Sequence, residues 1–168
     1  IGRTGTLFAC EAEEVVPDMI TLAKAMGNGF PIGALLAADR IAAAFVPGSH
    51  GSTFGGNPLA TAAGIAVLET FFDEGILDHC RRVGAYFLER LTELKAKNAR
   101  IREVRGRGLI IAVELIVPGA DFVLDCLKRG LLINCTGGNV LRFVPPLILT
   151  KTDVDKAVGI LAEVLEAQ

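Results

Sequence analysis

The sequence predicts an α/β protein with an extensive hydrophobic core. Of its 168 residues, 51% are hydrophobic, which is enough apolar surface for a chain of this length to bury a substantial core. From about residue 76 onward, short apolar runs typical of strands alternate with longer segments of helical periodicity. Such alternation is typical of a small α/β domain. The part before it, residues 1–75, is dense in Ala and Gly.

Residues 1–75 are predicted to hold short elements followed by one longer helix. Before that helix we expect a helical turn in "FACEAEEVV", a buried strand in the apolar run that ends at Lys24, a strand over 34–37 and a helical turn after Asp39. Asn57 and Pro58 are typical of the N-cap and the first residue of a helix. This helix should end at Gly75, because glycine commonly follows a helix C-terminus.

The second part, residues 76–168, shows a regular order of elements. It predicts an amphipathic helix over 76–98, two strands with a glycine turn over 101–117, a helix over 120–130, two strands around the turn "TGGN" over 131–144, and a final helix capped near Thr152. The turn between the first two strands is placed at Gly106-Arg107-Gly108. The charged residues around it predict a solvated hairpin face; they are Glu103, Arg105, Arg107 and Glu114.

Charge and cysteine content exclude several classes of function. Lys and Arg total 17 against 19 for Asp and Glu, so a net charge of −2 gives no electrostatic case for nucleic acid or an anionic membrane. The apolar stretches are too short to span a bilayer. The cysteines form no C-x-x-C pair and the two histidines add no ligand spacing, so we predict no metal site. We expect reduced core thiols in a cytoplasmic protein with small-molecule or protein partners.

Lys24 is the first candidate functional residue. It lies in "MITLAKAMGNGFPIG", among apolar residues and ahead of three glycines, at Gly27, Gly29 and Gly33. Because a buried unpaired ammonium is costly, such a lysine either reaches solvent along its aliphatic stem or acts as an amine nucleophile.

The loop "HGSTFGGNP" is the second candidate. It places Ser52 and Thr53 among glycines directly before a helix N-terminus. Hydroxyls, free backbone N–H groups and the helix dipole together suit a phosphate. The alternative is an ordinary glycine-rich loop that only caps the helix.

Arg142 is the third candidate. In "NVLRFVPPL" it shares one strand face with Val140 and Val144, whereas Leu141 and Phe143 lie on the other. A guanidinium in this apolar setting needs an anionic partner. That partner is either a ligand carboxylate or a protein acid such as Glu114.

Together, a lysine amine, a phosphate loop and an arginine for a carboxylate indicate pyridoxal phosphate chemistry on an amino acid. Five consecutive blocks resemble those of the class III (subgroup II) pyridoxal phosphate aminotransferases: "GRTGTLFA", "PDMITLAKAMGNGFPIGA", "HGSTFGGNPLATAA", "VRGRGLIIAVEL" and "GLLINCTGGNVLRFVPPL". The resemblance implies the aspartate aminotransferase type of fold, fold type I. Residues 1–75 would then finish the large cofactor domain, and residues 76–168 would form the small C-terminal α/β domain.

The resemblance also implies residue roles and a reaction. Lys24 would hold pyridoxal 5'-phosphate as a Schiff base, Ser52 and Thr53 would bind the cofactor, with Thr53 on the phosphate of the neighbouring subunit of a homodimer, and Arg142 would bind the substrate α-carboxylate. The blocks most resemble members that transfer an amino group from N-acetylornithine to 2-oxoglutarate in arginine biosynthesis. The substrates would therefore be small amino acids and 2-oxo acids.

Three alternatives remain open. The chain could serve another class III reaction, on ornithine or 4-aminobutyrate, or be a non-catalytic fragment that only dimerises. A nucleotide-binding use of Gly27-Asn28-Gly29 is disfavoured, because no acidic ribose partner follows at a strand end. Family members are much longer, and their first part carries the acid that pairs with the cofactor ring. We therefore expect the 168 residues alone to be inactive.

Overall fold

The computed structural model describes residues 1–167, and the chain divides into two compact units. Unit 1 comprises residues 1–2 and 6–76, and unit 2 comprises residues 3–5 and the chain from residue 77 onward.

Unit 1 combines a two-stranded antiparallel sheet with one long helix. Its regular elements are a 3-10 helix at Ala9–Glu13, β1 at Met19–Leu22, a 3-10 turn at Lys24–Met26, β2 at Ala34–Ala37, α1 at Asp39–Ala42 and α2 at Pro58–Asp73. β1 pairs with β2 so that Met19 lies opposite Ala37 and Leu22 opposite Ala34. Apart from the 3-10 turn at Lys24–Met26, which was not predicted, these elements fall where the sequence predicts them.

Helix α2 shows the predicted start and stop. The Asn57 side chain accepts a hydrogen bond from the backbone N–H of Ala60 at 3.0 Å, and Pro58 occupies the first turn. The helix ends at Asp73, and Gly75 adopts a positive φ of 62°. Glycine is favoured there because a Cβ would clash in the left-handed conformation.

Unit 2 is a four-stranded antiparallel sheet with helices on one face. Its elements are α3 at Ile76–Lys97, β3 at Ile101–Arg107, β4 at Ile110–Leu115, α4 at Ala120–Lys128, β5 at Asn134–Thr136, β6 at Val140–Phe143 and α5 at Lys151–Ala167. The strand order is β3-β4-β6-β5. Alternate residues of β4 and β6 point into one continuous core that also takes the apolar faces of the helices. The rings of Phe87 and Phe143 meet edge to face within it, 5.4 Å apart.

Two predictions for unit 2 need correction, one of a turn and one of a helix cap. Gly106 and Arg107 belong to β3, and the turn lies at Gly108, which has a φ of 54°. Helix α5 is capped by Thr150, two residues before the predicted position. Asp153 N–H donates to the Thr150 hydroxyl at 3.2 Å, and the Asp153 carboxylate accepts from Thr150 N–H at 3.0 Å. This reciprocal pair is a capping box.

Two further features of the described chain concern its environment. Within residues 1–167, no helix is both long enough and apolar enough to cross a bilayer. The same residues contain no cluster of three or more His, Cys, Asp or Glu side chains suited to a metal ion.

Candidate functional site

Lys24 lies two residues beyond the end of β1, at the start of the 3-10 turn. Its φ is 54°, which is an uncommon conformation for a residue with a side chain. Such strain persists only where the surrounding structure imposes it, and it is frequent at functional sites. Within the described residues, the ammonium has no hydrogen bond or ion pair to a protein group. The amine is therefore available to a ligand.

The sequence predicts a buried strand that ends at Lys24. A strand does precede Lys24, but the predicted burial is wrong. Lys24 is exposed, and the side chains of β1 alternate between exposed and half-buried. The cause is that β1 pairs only with β2 in the part of the chain described here, and a two-stranded sheet cannot enclose side chains on both faces.

The backbone after Lys24 is held by a tight glycine turn against α2. A Cβ on the buried Gly27 would lie 2.2 Å from the carbonyl oxygen of Phe30, so only glycine fits there. A Cβ on Gly64 of α2 would lie 3.8 Å from the carbonyl oxygen of Met26. The turn that carries Lys24 therefore lies in van der Waals range of the helix whose N-terminus follows the Ser52-Thr53 loop.

The loop before α2 gives its two hydroxyl residues different surroundings. Ser52 Oγ accepts a hydrogen bond from the backbone N–H of Gly55 at 3.0 Å and so closes the loop on itself. Thr53 is exposed, and its hydroxyl has no protein partner within residues 1–167. Asn57 already caps the helix. Helix capping therefore does not account for either hydroxyl.

Arg142 is exposed on β6, and its strand neighbours Leu141 and Phe143 are buried on the opposite face, as the alternation predicts. The guanidinium Nε donates a hydrogen bond to Asn134 Oδ1 at 3.1 Å. Arg142 and Asn134 both line a surface cavity of about 560 Å³ in unit 2, and α5 contributes the charged residues Asp153 and Lys156 to the same cavity. The rest of the lining is mainly apolar and includes residues of α5 and of the segment after β6.

Glu114, the protein acid considered as a partner for Arg142, is engaged elsewhere. Its carboxylate lies 3.3 Å from Arg102 Nη1 and 2.7 Å from Arg105 Nη1. Arg105 also pairs with Glu103 at 2.6 Å. Arg102, Arg105, Glu103 and Glu114 therefore pair with one another on the hairpin. Arg142 has no acidic partner among the described residues.

Asn134 is a polar neighbour of Arg142 that sequence reasoning missed. The turn "TGGN" joins β5 to β6, and it places Thr136 opposite Val140 and Asn134 opposite Arg142. Counting outward from the predicted four-residue turn would have placed Ile133 opposite Arg142, because the observed connection between the strands is one residue shorter.

The cysteine thiols are not part of this arrangement. All four are free; Cys80 and Cys126 are buried as expected of core thiols, whereas Cys10 and Cys135 are only half-buried. Burial raises the pKa of the Cys126 thiol to about 11 and also raises the pKa of Cys80. Both thiols therefore stay protonated and unreactive near neutral pH.

Comparison with known proteins identifies the family. The family model described as aminotransferase class-III matches residues 1–165. The chain belongs to the class-III aminotransferase family. The resemblance noted in the sequence is thereby confirmed.

Relatives and solved structures of class-III aminotransferases agree with this assignment. The acetylornithine aminotransferase of Aquifex aeolicus is 52% identical over 98% of this chain. The crystal structure of the acetylornithine aminotransferase from Elizabethkingia anophelis superposes with a TM-score of 0.92 at 36% identity, over 99% of this chain and 45% of that one. An ornithine aminotransferase from Toxoplasma gondii, with partial pyridoxal phosphate occupancy in its active site, superposes at 0.91 with 37% identity, over 99% and 40% of the two chains. The predicted fold class, an α/β transferase of fold type I, is confirmed.

The chain spans 42% of the length of the Aquifex relative. Class-III aminotransferases are pyridoxal phosphate enzymes, and the residues present fit that group. Lys24 offers a primary amine with no ion pair, and Thr53 offers an unengaged hydroxyl before a helix N-terminus. An amine for an aldehyde and a hydroxyl for a phosphate are the donors that the cofactor requires.

Proposed function

We propose that the protein carrying these residues transfers the amino group of N-acetylornithine to 2-oxoglutarate, a step of arginine biosynthesis, with pyridoxal 5'-phosphate as its cofactor. The observation that carries the proposal is the family match over residues 1–165, with acetylornithine aminotransferases among the relatives. The free amine of Lys24 supports the chemistry. Residues 1–75 and 76–168 are assigned to the large and small domains of such an enzyme.

Lys24 is proposed to hold the cofactor and then to move the proton. When bound, pyridoxal phosphate supplies an aldehyde that condenses with amines and a ring that withdraws electrons from the carbon bonded to nitrogen. Lys24 Nζ would take the proton from the substrate carbon that bears the amino group, as a general base, and would deliver it to the former aldehyde carbon of the cofactor, as a general acid. The left-handed backbone conformation of Lys24 sets the direction in which its side chain leaves the turn.

Ser52 and Thr53 are proposed to bind the cofactor phosphate. Thr53 has the hydroxyl that no protein group uses, and it donates to a phosphate oxygen. The Ser52 oxygen accepts from Gly55 N–H, so its own O–H remains able to donate. The N-terminus of α2 adds a favourable dipole for the anion.

Arg142 is proposed to bind the substrate carboxylate. The Arg142 side chain is exposed, and it borders a cavity. Its guanidinium has no acidic partner within residues 1–167. A bidentate contact fixes the substrate's orientation as well as its position, and this fixed geometry supplies part of the rate.

A homodimer is proposed, with Thr53 at the interface and its hydroxyl toward the partner subunit's cofactor. Phe54, the next residue, is 79% exposed, so its ring is available for a contact with a second subunit. We also propose a cytoplasmic location, which the four free cysteines support.

Ornithine is the second candidate amino donor. The ornithine aminotransferase of Toxoplasma gondii superposes nearly as well as the acetylornithine enzyme, so this fold accommodates both donors. A primary test is the formation of glutamate from 2-oxoglutarate with N-acetylornithine, ornithine or 4-aminobutyrate as the donor. We expect the highest kcat/KM with N-acetylornithine.

A second test identifies the lysine. Borohydride reduction of the full-length protein with bound cofactor, followed by peptide mapping, should label the peptide that contains Lys24. Lys24→Ala should abolish both the label and the activity, whereas Lys95→Ala, on the exposed face of α3, should change neither. A label on another lysine, or glutamate formation by Lys24→Ala at the wild-type rate, would contradict the assignment.

A further inference from the structure

Arg142 sits in the sheet of unit 2 between two very different neighbours. On the β4 side it lies opposite Ala112, and on the β5 side it lies opposite Asn134. Because directly opposed residues share one face of a sheet, the three side chains stand in a row on the exposed face. Ala112 is too small to hold a guanidinium. Asn134 does hold it, through the 3.1 Å hydrogen bond from Arg142 Nε to Asn134 Oδ1.

The atom used in this contact matters for what Arg142 can bind. A guanidinium presents five N–H groups in a fixed plane, and fork binding of a carboxylate needs two of them in parallel. The bond to Asn134 occupies Nε alone. Within the described residues, Nη1 and Nη2 have no protein partner, so a pair of donors remains for a ligand.

The chemistry of the partner matters as well. An amide is neutral, so Asn134 orients the arginine without cancelling its charge, whereas an acid at this position would form an ion pair with it. On this face of β4, Glu114 lies opposite Val140 and binds Arg102 and Arg105 instead. Asp153 of α5 lines the same cavity as Arg142, and its carboxylate accepts hydrogen bonds from Thr150.

We infer that Asn134 is a positioning residue that aims the Arg142 fork at the substrate carboxylate. This inference rests on the proposed function, in which Arg142 binds that carboxylate. Asn134 itself need not touch the substrate. It fixes a long, flexible side chain that would otherwise lose more conformational freedom on binding.

The test compares Asn134→Ala and Asn134→Asp in the full-length holoenzyme. Asn134→Ala removes one hydrogen bond between the guanidinium and a neutral amide, and it should raise the KM for 2-oxoglutarate and glutamate roughly three- to tenfold, with kcat much less affected. Asn134→Asp should raise both KM values by roughly 10- to 100-fold, because the new carboxylate pairs with Arg142 and competes with the substrate. Asn98→Asp makes the same charge change elsewhere in unit 2, where the side-chain oxygen only accepts from Arg100 N–H. It should leave KM unchanged.

A double-mutant cycle separates positioning from a merely structural role. In an Arg142→Ala background, neither substitution at Asn134 should raise KM further. The same fold-increase with and without Arg142 would overturn the inference, and so would a lower kcat with an unchanged KM.

A labelling experiment gives a readout that does not depend on activity. Phenylglyoxal modifies arginines, and mass mapping follows the peptide that contains Arg142. We expect glutarate, a dicarboxylate that cannot react, to protect Arg142 in the wild type and to protect it less in Asn134→Asp. If the wild type transfers no amino group, the proposed function fails, and labelling still decides the role of Asn134. Equal protection in both proteins, or none in the wild type, overturns it.

Discussion

Glu114 Oε2 lies 2.7 Å from Arg105 Nη1, so the acid that could have neutralised Arg142 is bound to the neighbouring strand instead. Its other oxygen lies 3.3 Å from Arg102 Nη1. Both contacts join β3 to β4. An arginine that no acid of residues 1–167 neutralises is suited to an anionic ligand.

Arg142→Ala should lower kcat/KM for glutamate and for N-acetylornithine by roughly two to three orders of magnitude. The reason is that losing one partner of a hydrogen-bonded charge pair costs on the order of 2 to 5 kcal/mol. Arg142→Lys should restore only part of the loss, because an ammonium cannot reproduce two parallel hydrogen bonds. The visible absorption of the bound cofactor should be unchanged in both variants. Full activity of Arg142→Ala would remove the carboxylate role.

Element positions were predictable because they depend on local periodicity and capping. The helical spacing between Ile76 and Leu94 predicts α3, and the Asn57-Pro58 pair predicts the start of α2. The cap of α5 was placed at Thr152 although the spacing of Thr150 and Asp153 is that of a capping box, so this signal was present and missed.

The environment of the site residues was less predictable. The exposure of Lys24 depends on which other elements cover β1, and the local sequence around Lys24 does not specify those elements. The partner of Arg142 depends on strand register. Asn134 and Glu114 both lie on neighbouring strands, and only the register places Asn134, and not Glu114, directly opposite Arg142. The roles of Lys24, Ser52, Thr53 and Arg142 remain predictions.

Thr53 and Ser52 should respond differently to loss of their hydroxyls. Thr53→Val keeps the shape of the side chain but removes a donor that no protein group uses, so the Kd for pyridoxal phosphate should rise about tenfold. Ser52→Ala breaks the bond from Gly55 N–H and should affect cofactor binding less. Equilibrium dialysis of the cofactor measures both. A larger effect from Ser52→Ala would assign the main phosphate contact to Ser52.

Two helical glycines of unit 2 should respond to alanine in opposite directions. A Cβ on Gly84 of α3 would lie 2.2 Å from the carbonyl oxygen of Gly108, a backbone atom that cannot move aside easily. Gly84→Ala should therefore lower the free energy of unfolding by about 1 to 3 kcal/mol. Gly159 of α5 has open space around its Cβ position, so Gly159→Ala should raise it by about 0.5 to 1 kcal/mol. Urea unfolding of both variants checks the pair, and a neutral Gly84→Ala would mean that α3 and the β3–β4 turn are less closely packed.

The capping box of α5 should make stability depend on pH in the acid range. Hydrogen bonds from the Thr150 hydroxyl, at 2.6 Å, and from its backbone N–H lower the pKa of Asp153 below the ordinary value of 3.8. Because the folded pKa is the lower one, the ionised carboxylate stabilises the fold above pH 3.8, and this contribution is lost as the pH falls through the folded pKa.

Asp153→Asn should therefore lower the free energy of unfolding at pH 7, and its difference from the wild type should shrink as the pH falls below 3.8. Thr150→Val removes the hydroxyl that bonds Asp153 and should lower stability in the same pH range. Thr152→Val is the matched control, because the Thr152 side chain is exposed and makes no hydrogen bond within residues 1–167, and it should have little effect. Urea unfolding between pH 3 and pH 7 measures all three, with the pH range set by the ordinary carboxyl value. If Thr152→Val destabilises more than Thr150→Val, the cap lies at the position that the sequence first indicated.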